Sequence, residues 1–495
     1  MQRRRVYAVT GVPPEWQAYA MAKYSRSSQS LQESIQELTA DRTRKFLNTM
    51  YFKYGHASIA DMAHLSFGVE GISLWAAISL VDEQLWDGQE RSTRYQPFKQ
   101  TGYYGPAGAP CGYADGAQWL MDRYEQTTQE WIGRLEAQYP RPDGMAEVAY
   151  ANSIRARAFD IARYYLFLGV NTSVGQITSA RTLERQIARM QADPLPEIQA
   201  LGADLKEAAT EAAPFDFAAH QLEPLIGALP DALQRPFREH LAPYPVAPTL
   251  VKYADASPYQ QTVWTDLAAI ARELLPALEP TNDQPVTLHV NEDPFDAAVA
   301  SLLYRVSDLS YGQIRERVAG LSAGEKKDVL EAALQKRGAH DEWLREFQGA
   351  PLAFDILMDI GGYRDFHRHR RSVQIRQAWT TRHGAAIPEP MVGTDAEARY
   401  EADMAKAARY VEELAHWDPV QAHYLLPLGF RCRTLFRMDL SQAAYMIRLR
   451  TKEGGHFSYR RVAYQMYEAL AALYPSFAAY LEPTNPDIDD PLKRM

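Results

Sequence analysis

The sequence has only two cysteines in 495 residues, Cys111 and Cys432, and they lie far apart in the chain. This excludes a disulfide framework and a paired-cysteine metal site, and it is typical of a protein from a reducing compartment. The longest apolar stretch, Leu65–Val81, is interrupted by Glu70 and is too short to predict a membrane span. The first ten residues lack an apolar core and do not resemble a signal peptide. We therefore expect a soluble, cytoplasmic protein that does not bind membranes.

An excess of positive charge is also absent, because 53 lysines and arginines stand against 62 aspartates and glutamates, for a net charge of -9. An acidic chain does not attract nucleic acid through its overall field, so we expect no nucleic-acid partner. An anionic ligand would need a local cluster of arginines instead. With 46% hydrophobic residues over 495 positions, the chain is long enough for two buried cores.

The middle of the chain is rich in proline, and this stretch separates two predicted domains. Residues 1–212 are predicted as a first domain, residues 213–286 as a structured connector that packs on the domains, and residues 287–495 as a second domain. The prolines of the connector predict that long regular elements are excluded there, with room for short helices such as Thr265–Leu278. Elsewhere, apolar spacing predicts a strand followed by a helix over Met62–Val81, and helices in several further segments. These segments are Gln32–Tyr54, Ala151–Leu168, Thr178–Met190, Phe295–Leu309, Ala323–Lys336, Ala396–His416, Ser441–Arg450 and His456–Leu473.

The densest cluster of charge lies in Tyr363–Arg371, just after an apolar run, Ala353–Ile360, and a pair of glycines. A helix through this segment would share one face among Arg364, His367, Arg368 and Arg371. Guanidinium groups pair bidentately with phosphate and carboxylate oxygens, so such a face suits a nucleotide phosphate or a flavin pyrophosphate. A solvated basic surface is the plain alternative. Metal binding through two histidines lacks a third ligand at suitable spacing.

The first half contains two short motifs, Gly55-His56-Ala57-Ser58 and Glu90-Arg91-Ser92-Thr93-Arg94-Tyr95. They resemble the Gly-His-x-Ser stretch and the Glu-x-Ser-x-Arg-Tyr motif of the flavin-dependent thymidylate synthases. The Arg-His-Arg that precedes the second motif in the family is replaced here by Asp82-Glu83-Gln84. The first half therefore holds one part of the signature and lacks the other.

The second half shows the opposite pattern. Arg368-His369-Arg370 is intact, but Arg376, Ala378 and Thr380 stand where the family has Glu, Ser and Arg. The Gly-His stretch is not recognisable, and only His340 lies near its place. Each half alone is therefore incomplete.

The C-terminal motifs of the family are divided between the halves as well. Arg163 and Arg181 stand in the first half where the family has arginines, whereas His423 and Ser441 take those places in the second half. The closing Leu-Arg of the family, whose arginine lies beside the pyrimidine ring, survives only as Leu449-Arg450.

The resemblance implies an α+β fold of two tandem flavin-dependent thymidylate synthase-like domains, each a twisted sheet with flanking helices. It implies reductive methylation of dUMP to dTMP, with FAD as cofactor, NADPH and methylenetetrahydrofolate as co-substrates, and no metal. The tetramers of the family imply a homodimer of this chain, with sites shared between the copies. The implied site residues are Arg450 and Arg368 as catalytic residues, His56, Ser58, Arg181, Arg368, His369 and Arg370 for the cofactor, and Glu90, Ser92, Arg94, Tyr95, Arg163 and Arg450 for the substrate.

Several of these residues also have a plain structural interpretation. His56 suits a cap, Arg163 and Arg181 suit a helix surface, Tyr95 suits packing, and Arg450 suits the C-terminal end of a helix. The opposite pairing of motifs, which would place Asp82 and Glu83 near a phosphate, is predicted to be inactive or to serve another ligand, because carboxylates repel phosphate.

Three other functions stay open at this point. Asp365 stands where the family usually has glutamine, which suggests a related flavin enzyme acting on another pyrimidine nucleotide or another one-carbon donor. The residues lost from both copies suggest a non-catalytic protein that binds flavin or nucleotide. Arginine-rich RNA binding is disfavoured by the acidic total.

Overall fold

The computed structural model describes residues 7, 9–24, 27, 29–98, 100–211, 216–241, 244–275, 284–290, 293–338, 341–349, 351–488 and 492. The chain divides into two compact units. Unit 1 comprises Met1–Gly71, Ala76–Glu90 and Ser173–Ala277, and unit 2 comprises Ile72–Trp75, Arg91–Thr172 and Leu278–Met495. Unit 2 therefore combines a long stretch of the first half with the second half.

Helices make up most of both units. In chain order they are α1 (Pro14–Tyr24), α2 (Leu31–Gln36), α3 (Ala40–Leu47), α4 (Leu74–Leu80), α5 (Cys111–Gln138), α6 (Glu147–Ala162), α7 (Ala180–Gln191), α8 (Pro196–Thr210), α9 (Phe217–Gly227), α10 (Asp231–His240), α11 (Pro258–Leu274), α12 (Pro294–Arg305), α13 (Tyr311–Ala319), α14 (Ala323–Leu334), α15 (Ile360–His367), α16 (Asp395–Leu414), α17 (Leu440–Arg450), α18 (Phe457–Leu473) and α19 (Pro475–Ala478).

The strands form two small sheets. They are β1 (His64–Ser73), β2 (Trp86–Glu90), β3 (Asn171–Ser179), β4 (Val286–Val290), β5 (Leu352–Asp359), β6 (Val373–Arg376) and β7 (Arg431–Met438). The first sheet has the order β1-β3-β2, and the second has the order β4-β5-β7-β6 with antiparallel neighbours. Leu352, Phe354 and Ile356 of β5 are fully buried, so the centre of the second sheet forms part of the core of unit 2.

The junction between strand and helix is built in the same way in both halves. In each, the first two backbone N–H groups of the helix donate to carbonyls of the loop that leads into a neighbouring strand. The bonds are Leu74–Val170 at 2.8 Å, Trp75–Leu168 at 2.9 Å, Ile360–Phe430 at 2.9 Å and Gly361–Leu428 at 3.0 Å. The repeated pattern makes β1-α4 and β5-α15 equivalent elements of two related halves.

The two loops also pair with each other inside unit 2. The N–H of Leu428 donates to the carbonyl of Leu166 at 2.6 Å, and the N–H of Leu168 donates to the carbonyl of Leu426 at 3.1 Å. Such a reciprocal exchange is what a local two-fold relation between equivalent segments produces. The loops hold Leu166-Phe167 and Leu426-Pro427, which begin three residues after Arg163 and His423, the residues that take the same motif position in the two halves.

The predicted elements agree with the structure where apolar periodicity is strong. The strand followed by a helix over Met62–Val81 is confirmed as β1 and α4. The predicted helices of both halves are confirmed as α6, α7, α12, α14, α16, α17 and α18. Gln32–Tyr54 is helical but interrupted. Helix α2 ends at Gln36, Thr39 caps the start of α3, and α3 continues into a π-helical turn over Asn48–Lys53.

The connector differs from its prediction. The prolines do not exclude long regular elements, because α9 and α10 continue through Pro224 and Pro236, and α11 is 17 residues long. Pro258 stands in the first turn of α11, where a helix tolerates proline because no N–H is required there. The expected packing holds for Leu250 and Val251, which are fully buried in unit 1. In contrast, residues 264–275 are exposed along their whole length.

The charged segment after β5 is helical over a shorter range than predicted. Asp359 caps α15 by accepting the N–H of Gly362 at 2.7 Å, and the helix ends at His367. Arg371 lies beyond the helix, so it does not continue the face that Arg364 and His367 begin. Across the ranges that can be described, no helix is both long and apolar enough to cross a membrane.

Candidate functional site

An arginine of the first half joins the two halves within unit 2. Arg94 donates from Nε and Nη2 to the two carboxylate oxygens of Asp160, at 2.7 and 3.2 Å. Its Nη1 donates to the Tyr459 hydroxyl at 3.1 Å, and its Nη2 also donates to the carbonyl of Gly454 at 3.0 Å. Both members of the ion pair are buried, so each charge depends on the other for stabilisation.

A second arginine of the first half contacts the charged segment of the second half. Nη1 of Arg163 donates to Oδ2 of Asp365 at 3.2 Å. The guanidinium is 1% exposed, and its Nε and Nη2 have no hydrogen-bond partner among the residues that are described. Gly361 makes room for it, because a Cβ there would lie 3.1 Å from Nε.

The Asp365 carboxylate lies in the electrostatic field of four arginines. Burial raises the pKa of this carboxyl, but the fields of Arg163, Arg368, Arg450 and Arg94 outweigh burial and hold the pKa well below its usual range. Asp365 is therefore ionised at any working pH. We call these four arginines the arginine cluster. It combines two residues from each half of one chain.

His369 and Arg450 form a pair beside the cluster. Nε of Arg450 donates to Nε2 of His369 at 2.8 Å, so this ring nitrogen acts as an acceptor. Burial, followed by the field of Arg450, lowers the pKa of His369 to about 3, which keeps the imidazole neutral. The guanidinium carbon of Arg450 also lies 5.4 Å from the centre of the Tyr459 ring. Tyr459 thus lies between Arg94 and Arg450.

Arg368 differs from the other cluster residues because it is exposed. It is the C-cap residue of α15, and its side chain makes no hydrogen bond or ion pair with any residue in the described ranges. Arg370 is half-buried two positions later. Arg368 therefore has donors available for a ligand.

Two other predicted substrate residues lie close to Arg94. The hydroxyl oxygen of Ser92 accepts the backbone N–H of Arg94 at 3.2 Å, as in a short turn. Tyr95 is 44% exposed, and the guanidinium of Arg94 lies 5.5 Å from the centre of its ring. Nucleotide binding by these residues stays a prediction.

The remaining predicted residues belong to unit 1. Glu90 ends β2 and is half-buried, and His56 and Ser58 are exposed. Nη1 of Arg181 donates to Asp61 at 2.9 Å in a partly exposed ion pair. Their roles in cofactor and substrate binding stay predictions, and His340 lies outside the described residues.

Unit 1 contains the counterpart of the charged segment, and its polar groups are satisfied internally. Arg189 donates to the Glu83 carboxylate at 3.1 Å and to the hydroxyl and carbonyl oxygens of Ser79 at 3.1 and 2.7 Å. Burial raises the pKa of Glu83, while Arg189 opposes that shift. The Glu83 carboxylate thus pairs with Arg189, which could otherwise bind an anionic ligand.

A cavity of about 500 Å³ opens in unit 2 next to the His369 region. Its lining includes three arginines, two aromatic residues and two acidic residues, which are Arg337, Arg371, Arg448, Trp343, Tyr445, Asp341 and Glu342. Gln442 also lines it, and its Nε2 lies 3.4 Å from Nδ1 of His369, whose Nε2 accepts from Arg450 of the cluster. Three guanidinium groups and two aromatic rings suit a ligand with both anionic and flat aromatic parts.

Sequence reasoning missed Tyr459 and most of the lining of this cavity. Tyr459 lies in the apolar pattern of α18, where it is indistinguishable from a core residue. Trp343 and Arg337 flank the place where the second half should have its Gly-His stretch, which is the one signal that could have found them. Within the described part of the chain, no three His, Cys, Asp or Glu side chains are grouped to bind a metal.

The family model described as thymidylate synthase complementing protein matches residues 9–215 and 290–476. These two regions cover more than half of the chain, so the chain belongs to this family of flavin-dependent thymidylate synthases. The double match confirms the tandem form and, with the two small sheets and their helices, the α+β fold predicted from the motifs.

The chain is also similar over nearly its whole length to several curated proteins. It is 24% identical over 511 residues to a UPF0159 protein of Chlamydia muridarum, covering 96% of this chain and 91% of that protein. It is 24% identical over 511 residues to a UPF0159 protein of Thermoplasma acidophilum, covering 93% of this chain and 94% of that protein. Among solved structures, a UMP/dUMP methylase PolB from Streptomyces cacaoi, bound with 5-Br dUMP, aligns with 41% of this chain and 96% of its own, at 14% identity and a TM-score of 0.30.

Gly361→Ala should destabilise the protein by crowding the Arg163 guanidinium of the cluster. The new Cβ would meet both Nε of Arg163 and Oδ1 of Asp359 at 3.1 Å, and both are buried. We expect a loss of about 1–3 kcal/mol in unfolding free energy, as for other overpacked sites. The matched control is Gly312→Ala, since Gly312 is also the second residue of a helix and meets nothing within 4 Å. Equal melting curves for the two variants would show that Gly361 is not constrained.

The buried neutral state of His369 predicts a dependence of stability on pH. An unfolded histidine binds a proton near pH 6.5, whereas folded His369 does so only near pH 3. The unfolding free energy should therefore be lost as the pH falls from about 6.5 toward 3, with a slope of up to about 1.4 kcal/mol per pH unit from this residue.

Urea unfolding of the wild type and of His369→Gln between pH 7 and pH 4 measures this contribution. Glutamine cannot be protonated, so the slope should be smaller by one proton, whereas the same change at exposed His416 should leave the slope as it is. His456, whose pKa is also lowered by burial, keeps its own contribution in both variants. Identical slopes for His369→Gln and the wild type would show that His369 is not the group responsible.

Proposed function

We propose that the chain methylates dUMP to dTMP at the arginine cluster, with FAD as cofactor and with methylenetetrahydrofolate and NADPH as co-substrates. Family membership supports the reaction class. The observation that carries the proposal is the cluster itself, in which exposed Arg368 and buried Arg163 have guanidinium donors without partners among the described residues. A nucleoside monophosphate presents the oxygen acceptors that such donors require.

The arginines of the cluster differ in burial, and we assign them different roles in binding the ligands. Arg368 is exposed, so it can meet an incoming phosphate or flavin, whereas Arg163 is buried against the backbone at Gly361. Arg450 is held by His369 and Tyr459, and it can place positive charge beside the pyrimidine carbonyls. Stabilising negative charge there makes C5 electron-rich without a cysteine nucleophile.

In this proposal FAD would lie in the cavity beside His369. Its arginines, Arg337, Arg371 and Arg448, would hold the pyrophosphate, and Trp343 and Tyr445 would pack against the ring systems. Neutral His369 would hold two side chains in place, Gln442 on the cavity wall and Arg450 in the cluster. When bound, reduced FAD supplies the hydride, while the protein orients and polarises the nucleotide.

We infer further that the site in unit 2 is the working one, since Glu83 neutralises Arg189 at the counterpart in unit 1. The homodimer expected from the family also stays a proposal. In it, His56, Ser58, Glu90 and Arg181 would complete the cofactor and nucleotide contacts.

The test is an absorbance titration of purified protein with FAD, followed by dUMP. We expect FAD to bind with a flavin spectrum and dUMP to perturb that spectrum. Perturbation by UMP or dCMP but not by dUMP would point to a flavin enzyme for another pyrimidine nucleotide. A colourless protein that takes up no added FAD would refute the proposal.

A further inference from the structure

Asp365 is an acceptor in a site whose other walls are built from donors. Guanidinium groups donate hydrogen bonds and accept none, and four of them act on Asp365. The other two carboxylates nearby are already engaged. Asp160 accepts through both oxygens from Arg94, and Asp359 accepts from the N–H of Gly362 and the hydroxyl of Ser458. In contrast, Oδ2 of Asp365 contacts Arg163 and Oδ1 has no hydrogen-bond partner in the described part of the chain.

This placement restricts the part of a nucleotide that can lie against Asp365. A phosphate has only acceptors and carries negative charge, so the carboxylate repels it toward the arginines. A ligand group at Asp365 must donate a hydrogen bond, and its neighbouring atoms must accept from guanidinium groups. The edge of a uracil ring has this order, with the N3–H donor between the two carbonyl acceptors O2 and O4.

We propose that Asp365 is a specificity-determining residue that accepts the N3–H of a uracil base while arginines of the cluster donate to its carbonyl oxygens. The proposal rests on the proposed function and specifies the base that the site selects. A cytosine presents N3 as an acceptor, so its lone pair would face the carboxylate of Asp365. The site should therefore discriminate against deoxycytidylate by electrostatic repulsion as well as by a lost hydrogen bond.

The same contact also fits the chemistry at C5. A strong hydrogen bond from N3–H to a carboxylate shifts electron density into the ring, in the direction that ionisation would take it. Arginine donors at the carbonyls stabilise the density that results. Asp365 and the arginines would thus act on the ring in the same direction.

The test compares three nucleotides by calorimetric titration of the purified full-length protein: dUMP, N3-methyl-dUMP and dCMP. The wild type should bind dUMP at least about tenfold more tightly than either of the others, which is the usual discrimination of a well-placed polar contact to a base edge. This comparison requires no variant, so it stands even if a change at Asp365 perturbs folding.

Asp365→Ala should then reduce the preference for dUMP over both analogues to less than about threefold. The matched control is Asp355→Ala, which breaks another ion pair of unit 2, with Arg433 at 2.9 Å, and should keep the full preference. Equal binding of dUMP and N3-methyl-dUMP by the wild type, or a full preference in Asp365→Ala, would overturn the role of Asp365 and leave the proposed function intact. Failure of the wild type to bind any of the three would overturn both.

Discussion

Arg368→Ala should lower kcat/KM for dUMP by at least about a hundredfold, the usual loss when a charged donor is removed from an active site. The expected loss is confined to function, because Arg368 is exposed and its side chain makes no hydrogen bond or ion pair that the described residues reveal. The free energy of unfolding should accordingly stay within about 0.5 kcal/mol of the wild type. Steady-state kinetics and urea unfolding on the same preparation measure both quantities.

The matched control for this variant is Arg382→Ala, which removes another exposed arginine from the sequence that follows α15. It should keep kcat/KM within about threefold, because no part of the proposed site includes it. Equal losses of activity in the two variants would show that the total positive charge of this segment, and not the position of Arg368, determines binding.

Arg94→Ala should have the largest effect on stability, about 3–5 kcal/mol, which is typical when one partner of a buried ion pair is removed. The reason is Asp160, which is fully buried and would lose both of its guanidinium contacts. Activity should disappear with the fold around Tyr459 and Gly454. Arg94→Lys should restore little, because an ammonium group cannot form the paired contacts of a guanidinium.

Urea unfolding of Arg94→Ala, Asp160→Asn and the double variant measures the coupling. The double variant should be less destabilised than the sum of the single variants, since it leaves no unpaired charge. Arg134→Ala is the control, because Arg134 forms a more exposed ion pair with Asp395 and should cost less than about 1 kcal/mol. A change of less than 1 kcal/mol for Arg94→Ala would contradict the structural role assigned to this arginine.

Much of the fold could be predicted from local patterns. The change from strand to helix over Met62–Val81 was visible because alternation gives way to helical spacing within one short segment. The equivalence of the two halves was visible in the divided motifs, and the loops at Leu166-Phe167 and Leu426-Pro427 confirm it by pairing with each other. The connector was mispredicted because Pro258 stands in the first turn of α11, where proline is tolerated, and because Pro224 and Pro236 lie inside α9 and α10 without ending them.

The site was predicted less completely, since its contacts join residues far apart in sequence. The motif around Arg94 gave no sign that this arginine pairs with Asp160, because a buried carboxylate on an amphipathic helix looks like any polar position. Nor did local sequence show that residues 91–172 pack in one unit with the second half. The four arginines of the cluster were all named from their motif positions, and the structure places their charges around Asp365. Their roles in binding and catalysis stay predictions.

The most direct measurement is tritium release from C5-labelled dUMP by the purified full-length protein. In the presence of FAD, NADPH and methylenetetrahydrofolate, we predict release of tritium in step with dTMP formation, and loss of both when Arg368 is replaced by alanine. Binding of FAD and dUMP without tritium release under these conditions would contradict dUMP methylation and leave a protein that only binds flavin and nucleotide.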